Sequence, residues 1–370
     1  MSYRMSVIRA AFAALFILLM RATSVEAQVA WDQGAGDDWA KVVAAAKTEG
    51  SVVVAGHPAL ASVLPEAFKR DTGLSLEYLG GETNELMARF VREVQTGNVT
   101  IDVMLGGLGG FFELKAAGKL KAIKPQLLLP SVRDGSHWLG GEIKWYDDEK
   151  QYMLATTEWI HGWPVFNSDF IKPGQIATWQ DLLKPEYKGK IAAYDPRPAG
   201  QGQSVAAYLT ELFGPEFLKK LYLGQDIVIT RDGRQLVEWA ARGTYPIALG
   251  AVPVHIELFR AQGMTSLYVR LLDDGPGSSV GGFGVVKEPS QAPHPNAATV
   301  FINWFASKVG QEINTKRMLE ASRRSDISTD LVPAYIVPDP KRTYLDQYSE
   351  DWYNKRRPIV QKQIIDALGR

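Results

Sequence analysis

Hydrophobic positions along the chain switch repeatedly between short runs and a spacing of three to four residues. Residues 51–55 (SVVVA) are a run rich in β-branched side chains, which predicts a buried strand, and 74–79 and 101–105 (IDVML) read as a second and a third strand. Between them, Trp39, Val42, Val43 and Ala46 fall on one helical face. So do Leu60, Val63, Ala67 and Phe68, and then Leu86, Phe90 and Val94. Gly50, Gly73 and Gly97 stand where these helices should stop, and Asp37 where the first could be capped. A fourth helix is predicted over 111–117. The second half repeats the rhythm, with strands predicted at 190–194, 226–230 and 245–250 and helices at 204–213, 235–241 and 255–261. Strands alternating with helices imply a mostly parallel sheet covered on both faces. Two such series imply an α/β fold of two lobes. The repeat is one of architecture, without a convincing repeat of sequence.

Two segments are suited to cross between the lobes. Residues 155–167 (ATTEWIHGWPVFN) look extended, and 279–287 (SVGGFGVVK) are rich in glycine. If both cross, the first lobe is discontinuous, and a pair of crossings lets the lobes close like jaws. A strongly amphipathic helix follows, with Ala297, Val300, Phe301, Trp304 and Phe305 on its apolar face. The tail beyond Asp330 carries Tyr335, Tyr344, Tyr348, Trp352 and Tyr353 and reads as a final wrapping segment and helix against a lobe. The expected division is a leader at 1–27, a first lobe of 28–157 plus 287–370, and a second lobe of 158–286, with hinges near 155–167 and 279–287.

Composition changes this picture in two respects. Arg4 and Arg9 precede an apolar run at 10–20, and Val25-Glu26-Ala27 puts small residues where a signal peptidase reads. The run is shorter than the roughly 20 residues that span a bilayer, so export with cleavage after Ala27 is expected, and a periplasmic protein. Cysteine is absent, which removes thiol catalysis, cysteine-bound metal and a lipid anchor at the new N-terminus. An exported chain without disulfides relies on core burial, which this length supplies. Lys plus Arg and Asp plus Glu each number 41, so nothing points to nucleic acid or a membrane surface.

Several segments, taken together, are familiar. They are residues 294–313 (HPNAATVFINWFASKVGQEI), 101–107 (IDVMLGG), 179–190 (WQDLLKPEYKGK), 194–202 (YDPRPAGQG) and 281–286 (GGFGVV). Spread over almost the whole mature chain in the family's order, they resemble the type 2 periplasmic binding proteins of ABC importers. The branch is the one that carries ferric iron, thiamine, polyamines, phosphonates and sugar phosphates. The resemblance implies a cleft between the lobes, hinge closure on a small solute, and docking of the closed form on an ABC permease in the inner membrane. It implies no cofactor and no catalysis, and a monomer is expected.

Ligands of open α/β sheets sit beyond the carboxyl ends of the strands. The loops there supply His57, Gly81, Thr83, Asn84 and Gly107 in the first lobe, and Tyr194, Asp195, Arg197, Gly200, Gln201, Gly202, Arg231 and Arg234 in the second. Trp159 on the first crossing joins them, with Glu158 beside it. Helix N-termini and guanidinium groups suit phosphate or carboxylate, so a small anionic solute is expected. Each residue has a structural alternative. The glycines make tight turns, the arginines pair with Asp195 or Asp232, and His57 is a buried, satisfied histidine. Ferric carriers of this branch typically offer two adjacent tyrosines after a second-lobe strand, and residues 250–254 (GAVPV) lack them. Iron or a polyamine stays the alternative within the fold. The chain has no HExxH, Walker A or G-x-S-x-G motif, and an exported hydrolase stays the rival from another class.

Overall fold

The computed structural model describes residues 31–339 and 341–369. The leader, its cleavage point after Ala27, and the side chains of Thr83 and Asn84 lie outside the described residues.

The first half folds as α1 (Asp37–Glu49), β1 (Ser51–Gly56), α2 (Leu64–Thr72), β2 (Ser75–Gly80), α3 (Thr83–Thr96), β3 (Val103–Leu105) and α4 (Phe111–Ala116). One predicted helix is divided. A 3-10 turn at Pro58–Ser62 precedes α2. Pro58 and Pro65 lack the N–H that a continuous helix needs, so each can stand only in a first turn.

Next come β4 (Leu154–Ala155), β5 (Thr157–His161), β6 (Pro164–Asn167), β7 (Ile191–Tyr194), α5 (Gln201–Phe213), α6 (Pro215–Tyr222), β8 (Val228–Thr230), α7 (Gly233–Ala241), β9 (Ile247–Leu249), α8 (Pro253–Ala261) and β10 (Leu267–Val269). The chain closes with β11 (Ser278–Val280), β12 (Val285–Lys287), α9 (Pro295–Ala306), α10 (Lys308–Met318), β13 (Ala321–Ser322) and α11 (Arg357–Leu368).

Two five-stranded sheets result, in the orders β2-β1-β3-β12-β4 and β10-β6-β9-β7-β8. Both are mixed. β2, β1 and β3 run parallel, as do β9, β7 and β8, and the strands next to the crossings pair antiparallel. β1 is buried along most of its length, while the edge strand β2 alternates between buried and exposed positions, as one covered face requires.

Between the sheets lies a third, three-stranded sheet, β11-β5-β13, in which β5 pairs antiparallel with both neighbours. β5 leads from β4 in the first sheet to β6 in the second. β11 leads from β10 in the second sheet back to β12 in the first. The two crossings are therefore hydrogen-bonded to each other, with Val280 opposite Trp159 and Ser278 opposite His161.

Each sheet has its own core. α9 is apolar almost all round and buried from Ala297 to Ala306, as a central helix must be. Its N-terminus is held by the Glu49 carboxylate, which accepts from the N–H groups of Asn296 at 3.0 Å and Ala297 at 2.7 Å. The buried Asp102 accepts from Val53 N and His294 N, each at 2.7 Å, and so ties β1 to the start of α9.

The last helix departs from the expected division. The sequence places 287–370 with the first lobe, whereas α11 packs on α5 and α6 of the second. Val360 and Ile364, one turn apart, join the core that contains Val205, Tyr208, Phe217 and Leu221. Burying such side chains stabilises by about 1.5–3 kcal/mol each, which is enough to choose the lobe.

Candidate functional site

The carboxyl ends of the parallel strands of both sheets face one another. Between them is a cleft of about 280 Å³. The first sheet contributes His57 and Pro58 after β1, Glu82 after β2, and residues 107–109 after β3. The second contributes Tyr194 and residues 199–201 after β7, Asp232 to Arg234 after β8, and Gly250 and Val252 after β9. Trp159, Val280, Gly282 and Phe283 close the hinge side. The remaining wall is made by the C-terminal segment, with Gln347, Tyr348, Trp352, Tyr353 and Arg357.

Of the residues singled out in the sequence, His57, Gly107, Trp159, Tyr194, Gly200, Gln201 and Arg234 line this cleft. Gly81, Asp195, Arg197, Gly202 and Arg231 do not. Asp195 is buried and accepts from Arg197 Nε at 2.7 Å and from Arg231 Nε at 2.9 Å. Burial works to raise the Asp195 carboxyl, yet the two guanidinium groups hold it below its usual range. Arg197 and Arg231 are thus engaged as a brace under the β7 and β8 loops. Gly202 has a packing reason, because a Cβ there would stand 2.5 Å from the Tyr194 carbonyl oxygen and 2.3 Å from that of Asp195. Glu158 is turned to Lys144 at 3.1 Å and also bonds Ser279 and Arg323.

The cleft carries groups of both signs. α5 opens on the cleft at Gly200, and no side chain caps its N-terminus. A free helix start presents N–H groups and a partial positive charge. Arg357 stands beside it, donating to Gln203 Oε1 at 3.0 Å and lying 4.7 Å from the Tyr353 ring centroid. Arg234 has no ion-pair partner among the described residues. Asp232 caps α7 through the N–H groups of Arg234 at 2.9 Å and Gln235 at 3.0 Å. The Glu82 carboxyl is raised by burial and by the charges of Glu85 and Asp232.

Burial holds both cleft histidines below the usual imidazole range. Burial, with His255 and Arg317 nearby, pushes His57 down to about 4, and burial also lowers His255. His57 Nδ1 accepts from Ala59 N at 3.2 Å. In a neutral ring the proton then sits on Nε2, so His57 offers the cleft a donor and not a lone pair. The loop with Gly107 is pinned from behind by the buried Lys287, whose Nζ donates to the Gly106 and Gly107 carbonyls at 2.6 and 2.8 Å.

Sequence reasoning did not assign Glu82, Asp232, His255, Phe283 or the C-terminal residues to the site. Glu82 and Asp232 stand on the predicted loops and were findable there. Nothing in the aromatic spacing of the tail says that it returns to the strand ends.

Residues 28–312 match the family described as bacterial extracellular solute-binding protein. A Haemophilus influenzae protein of uncharacterised role is 25% identical over 196 residues, 51% of this chain and 54% of that protein, so the match spans about half its length. A Salmonella typhi periplasmic protein, whose proposed ligand is 2-aminoethylphosphonate, is 22% identical over 273 residues, 73% of this chain and 74% of its own. Among solved structures, the periplasmic binding protein AfuA of Actinobacillus pleuropneumoniae, with exogenous fructose-6-phosphate bound, superposes with a TM-score of 0.66. It is 20% identical, and the superposition covers 86% of this chain and 98% of that one. That likeness establishes the type 2 periplasmic-binding-protein fold. With two sheets meeting at a cleft and its family matched over residues 28–312, the chain belongs to the bacterial extracellular solute-binding proteins.

Proposed function

We propose that the protein captures a small solute bearing a phosphate, phosphonate or carboxylate group, and that the lobes close on it about β5 and β11. The observation that carries this reading is the cleft itself, of about 280 Å³ and lined from both sheets at the carboxyl ends of their strands. Proteins of this family deliver small solutes to ABC permeases, and the chain would do so in the periplasm after losing its leader at Ala27. The lobes would divide at the two crossings, with α11 moving as part of the second.

The anionic group is supported by the uncapped start of α5, by Arg357 beside it and by Arg234 across the loop. The ligands named for the Salmonella and Actinobacillus proteins both carry a tetrahedral phosphorus oxyanion, which suits a helix start flanked by guanidinium groups. Glu82 and Asp232 would face any cationic substituent.

Thermal unfolding of the mature protein with fructose 6-phosphate, 2-aminoethylphosphonate and inorganic phosphate tests the reading. A solute at about 100 times its Kd adds about 2.7 kcal/mol of stability and raises the melting temperature by several degrees. Arg234→Ala and Arg357→Ala should each weaken that solute by about tenfold or more, the range of a charge-assisted hydrogen bond. Unchanged affinity in both variants contradicts the anion reading.

A further inference from the structure

The C-terminal segment that walls the cleft lies beyond residues 28–312, the part of the chain that matches the family. It is built into the hinge and both lobes. Leu345 pairs with Ser278 of β11, its N–H donating to the Gly277 carbonyl at 2.9 Å. Glu350 then meets Lys115 of the first lobe at 2.6 Å, and the Tyr353 ring lies 5.1 Å from that of Phe112. Arg356 meets Glu211 of the second lobe at 2.7 Å, and α11 follows.

This strap brings to the cleft polar groups that have no hydrogen-bond partner among the described residues. Gln347 is 3% exposed, and neither its Nε2 nor its Oε1 has a hydrogen-bond partner among the described residues. The same holds for Trp352 Nε1 on the strap and for Trp159 Nε1, 2% exposed, on the hinge side. All three side chains line the cleft. A buried donor or acceptor left unpaired costs about 1–3 kcal/mol, and native folds seldom leave several around one cavity. The set comprises two indole donors and an amide that both donates and accepts, among the rings of Tyr348, Tyr353 and Phe283. It carries no charge of its own. Its chemistry fits hydroxyl or amide groups borne on carbon, as ligand pockets fix orientation by a few polar groups on an apolar lining.

We propose that Gln347 and Trp352 of the strap, with Trp159, form a second subsite that binds the uncharged, hydrogen-bonding body of the solute. This proposal rests on the anion reading above. In it, the α5 end of the cleft holds the oxyanion, and the strap selects what the oxyanion is attached to. Residues outside the span that matches the family thereby set specificity.

Calorimetric titration of the full mature chain with inorganic phosphate and with fructose 6-phosphate separates the two subsites. The proposal predicts tighter binding of fructose 6-phosphate than of phosphate. The near-isosteric Gln347→Met, and Trp352→Phe, which keeps a ring but loses the N–H, should each weaken fructose 6-phosphate by about tenfold while leaving phosphate unchanged. If both probes weaken equally, the strap acts only structurally and the proposal fails. It also fails if neither weakens, or if the wild type binds phosphate as tightly as fructose 6-phosphate. Binding of neither probe overturns the phosphate form of the anion reading and the proposal with it, a result distinct from binding without discrimination.

Discussion

Gly202 illustrates how one position can be read in two ways from sequence. It lies in the YDPRPAGQG stretch, where the sequence suggests a ligand contact, and its lack of a side chain lets α5 start against the Tyr194 and Asp195 carbonyls. Gly202→Ala should therefore lower stability by about 1–3 kcal/mol, the usual cost of overpacking, and show a lower melting temperature in a scan without solute. An unchanged melting temperature would place its role elsewhere. The arginines teach the same lesson. Arg197, Arg231 and Arg234 share one charge and equivalent loops, but a single buried acceptor, Asp195, engages the first two. Which cation a buried carboxylate takes depends on side-chain reach, and residue type does not encode it. His57 was legible as a cleft residue because it directly follows a buried strand, while its tautomer depends on the Ala59 N–H.

The hinge is where single elements make testable demands. Glu320 precedes β13, is buried, and accepts from Phe283 N at 3.1 Å and Thr157 Oγ1 at 3.2 Å. Burial pushes its carboxyl from 4.5 up to about 8. Between those two values the unfolded chain has lost this proton and the folded one keeps it. The contribution of Glu320 to stability therefore falls as pH rises through that window. Glu320→Gln should gain on the wild type steadily from pH 5 to pH 8 in paired melting curves. A constant difference across that range would mean that Glu320 is already ionised in the folded protein. The histidines run the other way. Burial pushes His161 down to about 3 and His57 to about 4, so their contribution is lost as pH falls below about 6.5. At the element scale most of the fold was legible, because strand runs and helical stripes report burial directly. The division of α2 was also legible, in Pro58 and Pro65. The lobe chosen by α11 was not, because an apolar pair such as Val360 and Ile364 says that a helix docks and not where.

Taken whole, the molecule is two sheets joined by strands that pair with each other, a strap that touches both, and a cleft between. Paired crossings permit a bend about their shared axis without breaking either core. The strap limits that bend, since opening the cleft must stretch either the Lys115–Glu350 contact or the α11 docking. The Lys115–Glu350 pair is largely buried, with side chains 8% and 11% exposed, so removing one partner weakens the first-lobe end of the strap. Lys115→Met should accordingly enlarge the radius of gyration of the solute-free protein in X-ray scattering, and an unchanged radius would show that the strap does not restrain opening.

The central claim is that the lobes close over a small solute. The chain has no native cysteine, so Glu77→Cys and Lys220→Cys place one label on each lobe with no competing thiol. The distance distribution between the labels, with and without the solute that raises the melting temperature, measures closure directly. Closure predicts a shift to shorter distances that saturates with binding. An unchanged distribution at full occupancy would contradict the account.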